Sequence, residues 1–183
     1  LAGRPDQPVP EVSLEAAVAR IEAQLATTPE DMRGWRVIAP AYMQLGRFAE
    51  AAEALRKVIA TDGVTADLES DLGEAVMMAG GGTIGPESLA LFNSAATRDP
   101  AHVRSRYYIA SAAMQASDLE AAKARWTELI ALAKGDEPWL ANAQAGLAAA
   151  NGDVGQMDDD AIKGMVETLA ARLASDGGSI EEW

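Results

Sequence analysis

From Ser13 to Gly152, apolar residues recur about every three to four positions, with alanines and glycines set among them. That period is helical. The stretch GWRVIAPAYMQLGRFAEAAEALRKVIATDG, from Gly34 to Gly63, shows it most clearly. Trp35, Ile38, Ala39 and Tyr42 form one stripe, and Ala51, Leu55 and Val58 form a second. Gly46 lies between them and gives a turn the freedom that a Cβ would deny. The pattern predicts two antiparallel helices, A and B. A small residue at Ala39 meets a small residue at Ala51, so the two backbones can approach closely. No run of alternating β-branched residues argues for a sheet. The expected fold class is all-α.

The pattern then returns. Leu72 and Gly73 lie 34 residues after Ile38 and Ala39. In the second helix B the spacing is 37, so that Leu55 maps to Phe92, Val58 to Ala95 and Gly63 to Pro100. The three additional residues belong to GGGTIG, Gly80 to Gly85, a lengthened A–B turn. A third copy goes back to 34, with Ile109 and Ala110 in helix A and Trp126 and Leu129 in helix B. Counted with Trp35 as position 4, the unit resembles the tetratricopeptide repeat, W-x2-L-G-x2-Y followed by A-x3-F. Ahead of the first unit, SLEAAVARIEAQLATTPED supplies an unpaired helix B, with Ser13 as its N-cap. After the third, EPWLANAQAGLAAANG reads as one closing helix, with Pro138 near its first turn and Asn151-Gly152 at its end. The expected architecture is a tetratricopeptide-repeat solenoid of antiparallel helix pairs, about three repeats with flanking helices. Pro40 is unusual inside helix A; it removes a backbone hydrogen bond and is expected to kink the helix, reshaping the groove mouth.

Three segments follow from this reading: a proline-rich linker over 1–12, the repeat domain over 13–152, and an acidic linker with the truncated start of a second repeat block over 153–183. The last rests on an echo, since Val166 to Trp183 resembles Val18 to Trp35 at an offset of 148. A helix over about 159–174 would carry Ile162, Met165, Val166, Leu169 and Leu173 on one face, with no following helix A to cover them. It is expected either to fray or to dock on another copy, so self-association through the 159–174 helix is one expected contact.

Charge and composition narrow the function. The net charge is −13 and the pI about 4.4. This argues against nucleic acid as a partner and against docking on an anionic membrane surface. Segment 153–183 holds eight acidic residues against Lys163 and Arg172, a net −6 of that −13. The chain has no cysteine, which excludes disulfides, thiolate metal sites, a cysteine nucleophile and haem attachment through Cys-x-x-Cys-His. No apolar run is long enough to span a membrane. The chain starts at Leu1 without a Met and is expected to be a piece of something longer.

Residues with catalytic potential are few. His102, the single histidine, follows Asp99-Pro100 at a repeat junction, where a surface or capping role outweighs catalysis. Asp158-Asp159-Asp160 is weighed as a cation site and read instead as a solvated acidic helix start. GGGTIGPES lacks the lysine of a phosphate-binding P-loop and follows no strand, so it reads as an interhelix turn with Pro86 at N1. No enzyme constellation emerges, and no cofactor or metal is expected. The scaffold points to binding, because helix A of each unit lines a concave face. Positions 2, 5, 9, 12 and 13 turn into that groove. They are Arg33, Arg36, Pro40, Met43 and Gln44 in unit one, and Asp67, Ser70, Glu74, Met77 and Met78 in unit two. Unit three supplies Arg104, Tyr107, Ser111, Met114 and Gln115. Four of the seven methionines fall on this face, and thioethers adapt to amphipathic helices. The competing reading is that Met77 or Met114 packs between neighbouring helices. The candidate groove residues are Arg33, Arg36, Met43, Met77, Met78, Arg104, Tyr107 and Met114, with the three arginines placed to pair with acidic side chains or a terminal carboxylate.

GWRVIAPAYMQLGRFAEAAEA, AGGGTIGPESLALFNSAATRDP and DLEAAKARWTELIALA together resemble the periplasmic domain of the cytochrome c biogenesis family CcmI, also called CycH. The likeness covers nearly the whole chain, from the linker LAGRPDQPVP to IKGMVETLAARLASD, which resembles that family's second repeat block. The resemblance implies a non-catalytic chaperone of System I cytochrome c maturation. It implies that the groove holds apocytochrome c, chiefly by the client's C-terminal helix, and presents it to the haem-ligation complex. It also implies a periplasmic location, with the full-length protein anchored in the inner membrane. The alternative is a structural scaffold that bridges subunits of a membrane-associated complex without binding a peptide client.

Overall fold

The computed structural model describes residues 13–135 and 137–152. The 1–12 linker, the 153–183 segment with its 159–174 helix, and the Asp158-Asp159-Asp160 triplet lie outside the described residues. Eight helices and no strand occur among those described. They are α1 (Leu14–Thr27), α2 (Met32–Gln44), α3 (Phe48–Asp62), α4 (Ala66–Ala79), α5 (Pro86–Arg98), α6 (Val103–Gln115), α7 (Leu119–Ile130) and α8 (Leu140–Asn151). Each packs chiefly on its neighbours in sequence, giving the pairs α2–α3, α4–α5 and α6–α7 with α1 and α8 at the two ends. This is the all-α tetratricopeptide-repeat solenoid that the 34-residue period predicts.

Short polar side chains start four of the eight described helices, α1, α2, α4 and α7, because the first N–H groups of a helix have no intrahelical acceptor. The Ser13 hydroxyl accepts from the Ala16 N–H at 3.2 Å, Thr65 from Leu68 at 3.1 Å, and Asp118 from Ala121 at 3.1 Å. Asp31 accepts from both Arg33 and Gly34. Two of the A–B turns share one geometry. In the first, Gly46 has φ +70° and the Arg47 N–H donates to the Tyr42 carbonyl at 2.9 Å. In the third, Ser117 takes that place at φ +58°, and Asp118 donates to Ala113 at 2.9 Å. A serine there carries backbone strain of about 1 kcal/mol that glycine avoids. The longer second turn has Gly81 and Gly82 at φ +82° and +84°. Helix α2 runs through Pro40 as one element. Pro138 stands in the turn ahead of α8 rather than inside it, and Gly152 ends α8 in the left-handed conformation.

The interior follows the repeat. Leu55, Phe92 and Trp126, which share one register position on the three B helices, are 5%, 0% and 3% exposed. Burying each such side chain contributes about 1.5–3 kcal/mol. Ala39 and Ala51 are both buried in unit one, and Ala110 and Ala122 in unit three, where close helix approach needs small residues. In unit two, Gly73 makes room for a ring: a Cβ there would lie 2.7 Å from Phe92 Cε1. Phe92 also stacks on Tyr108 of the next unit, with centroids 4.5 Å apart and planes at 19°. That stack ties the second unit to the third.

Candidate peptide-binding groove

Where α2, α3 and α4 meet, with Arg104 reaching in from α6, they enclose a cavity of about 580 Å³. Its apolar lining comes from Ala39, Pro40 and Met43 on α2, Leu55 and Val58 on α3, and Leu68 on α4. Its charged lining is Arg36, Asp62, Asp71, Glu74 and Arg104. Pro40 contributes twice, since it is exposed to the cavity and cannot donate a backbone hydrogen bond to the Arg36 carbonyl one turn back.

The arginines in the cavity are already engaged. Arg36 Nε donates to the Asp62 carboxylate, which holds Asp62 below the usual carboxylate range and raises Arg36. Arg104 donates to Asp71 and to Ser70 Oγ at 3.1 Å, and its guanidinium lies 3.7 Å from Glu74. Behind this cluster, burial and then the Glu74 charge push the Tyr108 hydroxyl up to about 12. Arg104 therefore joins the A helices of units two and three. His102 does the same from the N-cap of α6: its Nδ1 accepts from the Ser105 N–H, while Nε2 lies 3.0 Å from Asp67.

The eight candidate residues do not all converge. Arg36, Met43 and Arg104 line the cavity, together with Pro40, Gln44 and Glu74. Arg33 lies in a shallower depression between α1 and α2 that meets the cavity at Arg36. Met78 is 36% exposed near the end of α4, outside the lining. Met77 is 7% exposed and belongs to the interior. Tyr107 sits edge-on against Trp126, centroids 5.1 Å apart, and Met114 packs on the same third-unit cluster. Gln115 has another role, because its side-chain amide donates to the Ile84 carbonyl at 3.1 Å and accepts from the Ile84 N–H at 3.0 Å. That pairing fastens the Gly80–Gly85 turn to α6.

Sequence reasoning missed Leu55, Val58 and Asp62 from helix B, and Leu68 and Asp71 from α4. The first two were legible as core but not as cavity wall. Nothing local marks Asp62, which meets Arg36 across 26 residues. Among the described residues no cluster of three or more His, Cys, Asp or Glu is arranged to hold a metal, and no helix is long and apolar enough to cross a membrane.

Helix pairs repeated along the chain, with a cavity opening between successive A helices, define a tetratricopeptide-repeat protein. Solved structures agree in fold. The MamA crystal structure superimposes with a TM-score of 0.64 at 17% identity, over 90% of this chain and 92% of that one. TTC0263, a thermophilic TPR protein of Thermus thermophilus, gives 0.54 at 17% identity, over 92% of this chain and 86% of that one. No protein-family model matches the chain. Curated relatives do: the cytochrome c-type biogenesis protein CycH of Bradyrhizobium diazoefficiens is 34% identical over 93% of this chain and 51% of its own length. CycH of Rhizobium meliloti is 32% identical over 100% of this chain and 54% of its own. The chain belongs to the CcmI/CycH family of cytochrome c biogenesis proteins, and it spans about half the length of these relatives.

Proposed function

We propose that this domain is a non-catalytic chaperone that holds apocytochrome c by its C-terminal amphipathic helix and presents it for haem ligation in System I maturation. The observation that carries the reading is the 580 Å³ cavity, with its apolar lining of Pro40, Met43, Val58 and Leu68 between helices of adjacent units. An amphipathic helix has one apolar stripe to cover. Each large apolar side chain it buries contributes about 1.5–3 kcal/mol before the entropic cost of association. Family membership in cytochrome c biogenesis supports this client class. In the full-length protein the repeats face the periplasm from an inner-membrane anchor, within reach of the haem-ligation components.

Calorimetric titration of the chain with a synthetic C-terminal helix of an apocytochrome c tests the reading. Saturable binding is expected. No saturation at high micromolar peptide overturns it. If the chain then still co-purifies stably with another maturation component, the scaffold reading takes its place.

A further inference from the structure

We infer that the groove selects a basic client: an amphipathic helix with a lysine or arginine beside its apolar anchors, the cationic head meeting Glu74 and Asp71. The inference rests on the groove reading above and adds the sign of the charge it recognises. The sequence pattern alone points the other way, toward acidic client groups paired with Arg33, Arg36 and Arg104. In the folded chain the cavity arginines are matched internally. Arg36 is held by Asp62, and Arg104 stands between Asp71 and Glu74. The lining thus holds two guanidinium groups against three carboxylates, a net −1.

The surplus carboxylates are within reach of a ligand. The Asp71 side chain is 40% exposed and that of Glu74 is 29% exposed. An acidic client residue would have to displace an existing pair or stand unpaired against like charge, and both oppose binding. A basic residue instead completes a set that one arginine serves alone. A lysine suits this lining because its aliphatic stem can lie on Met43 and Leu68 while the ammonium stays at the wet edge. The adjoining depression does not offset this surplus, because Glu30 and Asp31 there match Arg33 and the shared Arg36, a net of zero. The chain's net charge of −13 extends it to long range, where it steers cationic partners toward the surface.

Two synthetic helical peptides test this. They share one apolar face and carry either lysine or glutamate at the flanking polar positions. Binding to the chain is followed by fluorescence anisotropy. At low salt the lysine peptide should bind about tenfold more tightly, and the gap should shrink toward about twofold near 0.5 M salt. Asp71→Asn with Glu74→Gln turns the lining from net −1 to net +1 and should reverse the order of the peptides. Circular dichroism checks that this variant is folded. Glu74→Gln alone, a gentler change, should bring the two peptides to within about twofold of each other. Equal affinities for the unmodified chain, or a tighter glutamate peptide, overturn the charge inference and leave the groove reading standing. Failure of both peptides to bind overturns the groove reading as well.

Discussion

Gly73 is buried in α4 against Phe92 of α5, and replacing it with alanine sets two known effects against each other. Alanine is about 1 kcal/mol more favourable than glycine inside a helix. Its methyl group, however, would lie 2.7 Å from Phe92 Cε1, 3.0 Å from Cδ1 and 3.1 Å from Cζ. Phe92 is 0% exposed and stacked on Tyr108 at 4.5 Å, so the ring cannot swing aside without opening the junction between units. Overpacking of this kind costs about 1–3 kcal/mol. The steric term should win, and Gly73→Ala should destabilise the domain by about 1 kcal/mol net. Urea unfolding followed by circular dichroism measures it. Adding Phe92→Leu should relieve part of the clash, which a double-mutant cycle would show as a favourable coupling. Gly34→Ala is the comparison: a Cβ there lies as close, 2.7 Å from Leu25 Cδ2 and 3.1 Å from Cγ, but Leu25, though 4% exposed, is an aliphatic side chain not stacked on a ring, so a small rotamer shift can balance the contact against the gain in helix propensity. It should stay within about 0.5 kcal/mol of the unmodified chain. The reasoning fails if Gly73→Ala stabilises by the full helix-propensity gain, for then the ring is not held as the structure implies. The same variant should weaken client binding, since α4 carries Leu68, Asp71 and Glu74 into the cavity.

Met43→Glu and Met77→Glu should separate groove from core. Met43 lines the cavity, so its variant should fold and lose peptide affinity, whereas Met77 is buried and its variant should lose several kcal/mol of stability, as melting curves would show. Alkaline titration should weaken the fold through two tyrosines. Burial and the Glu22 carboxylate push Tyr42 up to about 12, and burial with Glu74 raises Tyr108 to about 12. Their stabilising contribution is whole below about pH 10, where unfolded tyrosine keeps its proton, and is lost as pH rises to about 12. Tyr42→Phe with Tyr108→Phe should flatten that decline in the urea midpoint; an unchanged slope would show that the two hydroxyls are not its source. Gln115→Ala removes both hydrogen bonds to Ile84 and should speed amide exchange across Gly80–Gly85 while α6 stays protected. Unchanged exchange would mean the turn holds itself.

The helix pairs were readable because everything that makes them is local. A 3.6-residue stripe, a cap and a turn signal all fall within one unit, so Leu55, Phe92 and Trp126 could be placed in one buried row from spacing alone. The family was readable too, in the A-P-x-Y of the first unit and the glycine-rich insert of the second. The groove was only partly readable, because a helical wheel assigns a face without saying what lies across it. Met43 and Met77 hold the same repeat position, yet one lines the cavity and the other is covered. Gln44 and Gln115 also share a position. Gln44 lines the cavity, while Gln115 meets Ile84, because the second unit's turn is three residues longer and lies against α6. Arg36 and Arg104 were legible as cations and as groove residues. Their partners were not, because Asp62 and Asp71 lie 26 and 33 residues away: Asp62 meets Arg36 only when α3 folds back on α2, and Asp71 meets Arg104 only when the second and third units pack. Repeat and register are thus set by short-range periodicity, while the sign of the groove's charge is set by pairing between helices, within the first unit and between the second and third, which tertiary packing alone decides.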